Sequence, residues 1–105
     1  MTFDDYKKYA FMIINIMKEF ENHGEENVRQ QDLVDRMVQE IEVVSNERHT
    51  SIEKGIQTSK MVANIIQYLI TNENMLMVSQ DAKVRSERYL TLCNGIDMQT
   101  VAGML

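Results

Sequence analysis

The stretch from Thr50 to Val78 constrains the fold of this chain more than any other part of the sequence. Between Met61 and Ile70 the only polar residues are Asn64 and Gln67, so a helix here is apolar around most of its circumference and must be covered on several sides. The apolar run Met75–Val78 follows soon after and has the length of a strand. The sequence therefore predicts a buried central helix that leads into a strand.

A single polar stripe runs along the predicted central helix. Its residues are spaced three or four positions apart, which places them on one face of the helix: Gln57, Lys60, Asn64, Gln67 and Thr71. We expect any function of this helix to lie on that stripe, because the rest of its surface is committed to packing.

Two further helices are predicted before the central helix. Thr2 and Asp5 have the spacing of a capping box, and apolar residues recur at helical spacing as far as Phe20, which predicts a first helix of about twenty residues. His23 and Gly24 are suited to end this helix. Apolar residues at helical spacing predict a second helix from about position 31 to position 44.

The chain beyond the central helix predicts a β-hairpin. The strand-like runs Met75–Val78 and Arg88–Leu92 are separated by a polar loop, and the Asn94-Gly95 pair that follows is a strong turn signal. Val28, before the second helix, is a candidate for one short additional strand. We expect Met77, like most of the methionines, to pack in the core.

The length and the charge of the chain limit the classes of protein to which it can belong. At 105 residues it has room for one domain with one core. No apolar run approaches the roughly 18 to 20 residues that span a bilayer, and no secretion signal is recognisable, so we expect an intracellular protein without membrane contact. Residues 1–53 contain 12 acidic and 6 basic side chains, and the net charge of the chain is -5. This charge argues against a domain that wraps nucleic acid and favours a basic protein partner.

Motifs for catalysis and for metal binding are missing from the sequence. The four glycines are too dispersed to form a phosphate-binding loop or a dinucleotide fingerprint. His23, His49 and Cys93 have no partner at metal-ligand spacing, and Cys93 has no adjacent base. We therefore expect no catalytic residue, no metal site and no cofactor.

The order helix, helix, helix, strand, loop, strand is that of a winged helix-turn-helix domain. It resembles the C-terminal winged-helix domain of the minichromosome maintenance replicative helicase, subunit six. The segments that carry the likeness are Thr2–Tyr6, Asp32–Val34, Gln39–Ile41, Ile65–Leu69, Met75–Met77 and Tyr89-Leu90 before Asn94. The resemblance implies an α+β fold with a three-helix core and a small antiparallel β-hairpin wing. We expect this domain to occupy residues 1–98 and to be followed by a flexible tail at 99–105.

The junction of the second and third helices is the first candidate surface. Apolar residues rimmed by acids suit a basic amphipathic helix of a partner, and here they are Glu42, Val43, Glu47, Ile52, Glu53 and Ile56. The resemblance implies that this region binds the origin-licensing loader protein, with Glu42 on the family's acidic position. The later acidic position falls on Glu47 or Glu53. The apolar position falls on Ile52 or Ile56. The alternative is a solvated acidic loop with buried isoleucines.

The polar stripe and the hairpin loop form the second candidate surface. Amide groups can pair with adenine edges and cations can contact phosphate, so the possible DNA contacts are Lys60, Asn64, Gln67, Lys83 and Arg85. Because these cations are few, we expect weak or no direct DNA binding.

The preferred prediction is a non-catalytic protein-docking module that acts in DNA replication licensing and the cell cycle, in the nucleus. The resemblance implies that a parent chain joins it to the other helicase subunits of the MCM complex. It also implies that the nucleotide-binding machinery of that ATP-dependent helicase lies upstream.

Overall fold

The computed structural model describes residues 2–45, 52–93, 96 and 98–104. In chain order the elements are α1 (Phe3–Asn22), β1 (Val28–Arg29), α2 (Gln30–Ser45), α3 (Ile52–Thr71), β2 (Leu76–Gln80), a 3₁₀ turn (Arg85–Glu87), β3 (Tyr89–Leu92) and α4 (Met98–Met104). These elements confirm the predicted α+β architecture of three helices and a hairpin. Within the described ranges, no helix is long and apolar enough to cross a bilayer.

Both ends of α1 are set by local contacts that the sequence indicated. At the start, the Thr2 hydroxyl accepts a hydrogen bond of 3.1 Å from the backbone N–H of Asp5. At the end, the backbone N–H of His23 is bonded to the carbonyl of Glu19, and Gly24 adopts a φ of 88°, a left-handed conformation that glycine tolerates best. The predicted N-cap and the predicted stop are therefore confirmed.

The third helix, α3, is the central helix of the fold. It packs against α1, α2 and β2, and its buried residues are Val62, Ile65, Ile66 and Leu69. Complete burial of such a side chain contributes about 1.5 to 3 kcal/mol, so this face anchors the core. The core residues contributed by α1 and α2 are Ala10, Ile13, Ile14, Ile16, Met17, Leu33, Val34 and Met37.

The three strands form one antiparallel sheet in the order β1, β3, β2. Strands β2 and β3 are the predicted hairpin, in which Leu76 lies opposite Leu92. Val28 in β1 pairs with Leu90 on the other edge of β3. Because side chains alternate across a strand, Leu76 is buried while Met77 is 49% exposed. The prediction that Met77 packs in the core was wrong, since the core covers only one face of strand β2 and Met77 lies on the other.

The last helix, α4, packs against α1, and Val101 is completely buried in the core. The weak patterning of this part of the sequence predicts only a tail at 99–105. A helix of 7 residues offers too few positions for its period to be recognised. The flexibility of the tail and the domain boundary after residue 98 stay predictions. The Asn94-Gly95 turn signal lies outside the described residues.

Candidate partner-binding surfaces

Apolar side chains are exposed at the C-terminal end of α2 and at the N-terminal end of α3. Val43 is 75% exposed, Ile52 is 85% exposed and Ile56 is 49% exposed. Ile52 and Ile56 are one turn apart and therefore lie on the same face of α3. Acidic residues adjoin them in sequence, Glu42 on α2 and Glu53 on α3. We call Glu42, Val43, Ile52, Glu53 and Ile56 the acidic apolar patch.

The exposure of the two isoleucines argues against one alternative left open by the sequence, a solvated acidic loop with buried isoleucines. A solvated loop with buried isoleucines requires Ile52 and Ile56 to lie in the core, and neither does. Exposed apolar side chains on one face of a helix are typical of interaction sites. Glu47 lies outside the described residues, so the choice between Glu47 and Glu53 stays open. Both isoleucines remain candidates for the apolar position.

The two described acids of the patch have different surroundings. Glu53 is exposed in the first turn of α3, where the helix dipole favours a negative charge. Glu42 is half-buried and already takes part in an interaction with a neighbouring group. Glu53 is therefore the more accessible of the two to a basic partner.

The residues predicted to contact DNA are mostly exposed. Two lie on α3 and two in the loop between β2 and β3, and all four are exposed: Lys60, Asn64, Lys83 and Arg85. The fifth, Gln67, is half-buried, and its Oε1 accepts a hydrogen bond of 2.7 Å from Nη2 of Arg88. The exposed part of the polar stripe is thus shorter than the sequence predicted, because Gln67 faces the wing.

Arg88 is a buried cation, and nothing in the sequence indicated its structural role. It is 7% exposed, and its Nε donates a hydrogen bond of 2.7 Å to Oε1 of Gln30. Its backbone carbonyl accepts a hydrogen bond of 2.8 Å from the N–H of the same Gln30. Burial lowers the pKa of the Arg88 guanidinium, the nearby charge of Arg85 lowers it further, and Asp81 opposes this shift. Arg88 therefore ties the wing to α2 and α3 and is not available to phosphate.

A second arginine links the start of α2 to the 3₁₀ turn at the surface of the domain. Arg29 forms an ion pair of 2.9 Å with Asp32 and another of 3.1 Å with Glu87. Hydrogen bonds to Asp32 and then to Glu87 raise the pKa of Arg29 above its ordinary value. These side chains are partly exposed, so solvent screens the ion pairs and they add little to the stability of the domain. They orient the start of α2 relative to the turn that precedes β3.

A pocket of 390 Å³ lies between the start of α1 and the second half of α3. The rings of Tyr6 and Tyr68 meet edge to face there, with 5.3 Å between their centroids. The Tyr6 hydroxyl is buried and has no hydrogen-bond partner among the described residues. Burial raises the pKa of Tyr6 to about 12, with smaller contributions from Glu73 and Tyr68. Asn64 also lines this pocket, so the polar stripe borders an apolar cavity.

The other residues considered for chemistry have ordinary structural surroundings. Nδ1 of His23 lies 2.7 Å from the carbonyl oxygen of Glu19 at the end of α1. Burial raises the pKa of the Cys93 thiol, which disfavours the reactive thiolate. Across the described ranges, no group of three or more His, Cys, Asp or Glu side chains is placed to hold a metal ion. His49 lies outside those ranges.

Three helices, the last of which leads into an antiparallel hairpin, and a short strand that joins the hairpin ahead of the second helix together define a winged-helix domain. Such domains are generally non-catalytic. The chain belongs to the family of MCM6 C-terminal winged-helix domains, whose model matches residues 1–96. The predicted resemblance is thereby confirmed, and the family places the domain in a helicase subunit of the MCM complex, which acts in DNA replication. No curated protein and no solved structure matches the chain.

Proposed function

We propose that this domain is a non-catalytic docking module that captures the origin-licensing loader protein in the nucleus. The observation that carries the proposal is the exposure of Ile52, at 85%, next to the acidic Glu53 at the start of α3. A folded domain with a core of its own gains nothing from an aliphatic side chain held in water, whereas a partner that covers it does.

Two features of the acidic apolar patch contribute to binding of the partner, its apolar surface and its negative charge. Covering an isoleucine completely contributes about 1.5 to 3 kcal/mol, which corresponds to roughly a tenfold to hundredfold gain in affinity. Carboxylates at the edge of the patch attract a basic helix, raise its association rate and fix its orientation. An amphipathic helix with arginine or lysine beside bulky apolar residues is the ligand that matches both features.

The loader and the other helicase subunits are connected to this domain in different ways. The domain itself contacts the loader, and the parent chain links the domain to the other subunits of the MCM complex. The domain then acts by recruitment, because the chemistry of the helicase resides in other parts of the parent chain.

A DNA-binding winged helix is the second candidate, and the exposure of Lys60, Asn64, Lys83 and Arg85 favours it. Few cations are available, and Arg88 is withdrawn from the surface, so binding would be weak and sensitive to salt. Substituting Lys60→Glu together with Arg85→Glu should abolish binding to duplex DNA under this alternative and leave loader binding unchanged.

The test of the docking proposal is an amide chemical-shift titration with the C-terminal fragment of the loader at near-physiological salt. We expect shifts concentrated between Glu42 and Ile56. Ile52→Asp should weaken binding by roughly tenfold or more, since it removes an apolar contact and adds a buried charge. The matched control is Val84→Asp, because Val84 is also an exposed apolar residue, at 60%, but lies in the wing loop. Equal binding by Ile52→Asp and the wild type would remove the proposal.

A further inference from the structure

A second apolar groove lies between α1, the end of α2 and α4. Its volume is 460 Å³, and it is lined by Lys7, Lys8, Phe11, Met12, Val44 and Ala102. This volume falls in the range of about 300 to 1,000 Å³ that is typical of ligand-binding pockets. None of the lining residues belongs to the acidic apolar patch or to the polar stripe. We call this site the lysine-flanked groove.

The groove exists because α1 has a broader apolar surface than the core uses. Phe11 is 40% exposed and Val44 is 54% exposed, whereas Met12 between them and the core is half-buried. Lys7 lies four residues before Phe11 and Lys8 four residues before Met12, so each lysine is one helical turn from an apolar lining residue on the same side of α1. A lysine side chain can cover apolar surface with its methylene stem while its ammonium group stays in water.

The rim of the groove is cationic on a domain whose net charge is -5. The Lys7 ammonium lies 4.6 Å from the centre of the Phe3 ring, and the Lys8 ammonium lies 5.8 Å from the centre of the Tyr9 ring. Asp4 precedes both lysines on α1, yet neither lysine forms an ion pair within the part of the chain that the structure describes. Contact with an aromatic face holds an ammonium group in place without neutralising it.

We propose that the lysine-flanked groove docks an acidic segment of a partner protein that carries bulky apolar side chains. The apolar side chains fill the space over Phe11 and Val44, and the carboxylates meet Lys7 and Lys8. A nucleic acid is the poorer match, because a phosphate backbone makes no use of an apolar lining. The groove and the acidic apolar patch have opposite charge preferences, so they select different ligands and do not compete.

The experiment selects short random peptides, displayed on phage, against the whole 105-residue chain. Enriched peptides are then synthesised with a fluorescent label and titrated by anisotropy. We expect one class of the enriched peptides to combine Asp or Glu with bulky apolar residues, apart from any basic peptides that the acidic apolar patch selects. Lys7→Glu together with Lys8→Glu should weaken the binding of the acidic peptides by roughly tenfold or more, because attraction becomes repulsion. Lys60→Glu together with Lys83→Glu changes the net charge equally at a different surface and should change the affinity less than about twofold.

A second variant separates the groove from the fold of α1. Ala102→Glu narrows the groove from α4 and places a negative charge in it, so it should also weaken binding, while thermal unfolding reports whether either variant is folded. The proposal is overturned if no class of the selected peptides is acidic or if both groove variants bind the acidic peptides as well as the wild type. It is also overturned if Lys7→Glu with Lys8→Glu removes binding of duplex DNA but leaves peptide binding intact. Ile52→Asp should not affect peptide binding, which keeps this test independent of loader docking.

Discussion

Replacing Arg88 with alanine tests whether a buried cation holds the wing against the helical core. The substitution removes the hydrogen bonds of 2.7 Å to Gln30 and Gln67. Gln30 is 4% exposed, so its amide oxygen is left without water, which costs about 1 to 3 kcal/mol. Gln67 is half-buried and can turn toward solvent, so its loss is nearer to about 1 kcal/mol. We therefore expect the free energy of unfolding to fall by about 2 to 4 kcal/mol.

Urea unfolding followed by circular dichroism measures this change. Arg85→Ala is the matched control, because Arg85 is an exposed arginine of the same wing and its loss should cost less than about 0.5 kcal/mol. A double-mutant cycle with Gln30→Ala should give a coupling energy of roughly 1 kcal/mol or more, since the two side chains share one bond. If Arg88→Ala and Arg85→Ala unfold at the same urea concentration, the reasoning about the buried guanidinium is refuted.

Two other substitutions probe the described contacts. Tyr6→Phe should stabilise the domain by about 1 kcal/mol, because it removes a buried hydroxyl that has no hydrogen-bond partner among the described residues; a clear loss of stability would show that the hydroxyl is bonded. The raised pKa of Tyr6, about 12 against an ordinary 10.0, means that the folded state holds the phenol proton more tightly. Stability should therefore be unaffected by this group below pH 10.0 and fall as the pH rises toward about 12, and Tyr6→Phe should flatten that fall in urea titrations at several pH values. Thr2→Ala should cost about 1 kcal/mol by removing the N-cap of α1, with faster hydrogen exchange confined to its first turn; uniform exchange changes along α1 would contradict a local cap.

Much of the fold could be predicted from the sequence because its signals are local. The start of α1 depends on Thr2 and Asp5, and its end on His23 and Gly24, all of which act within one helical turn. The buried face of α3 follows from the near absence of polar residues between positions 61 and 70, which no exposed helix tolerates. The pairing of β2 with β3 was predictable as well, since two short runs separated by a polar loop pair most simply as a hairpin.

The candidate surfaces could be predicted less completely. The sequence placed acids beside isoleucines at the junction of α2 and α3, but it left open whether Ile52 and Ile56 are buried. The lysine-flanked groove was missed, because its walls come from α1, α2 and α4, and helical periodicity in one segment does not show what another segment covers. The only available signal was the excess of apolar residues on α1 beyond those that one core face requires.

The sequence by itself determined the start and end of α1, the approximate extents of α2, α3 and the two hairpin strands, and which side chains share a face, since these properties depend on residues a few positions apart. Only the tertiary structure decided which of those faces is covered. Arg88 reaches Gln30 and Gln67 over separations of 58 and 21 residues, and Met77 became exposed because one side of its strand is uncovered. Val101 in turn became buried because α4 folds back onto α1. Burial depends on the approach of distant segments, and no local pattern encodes that approach.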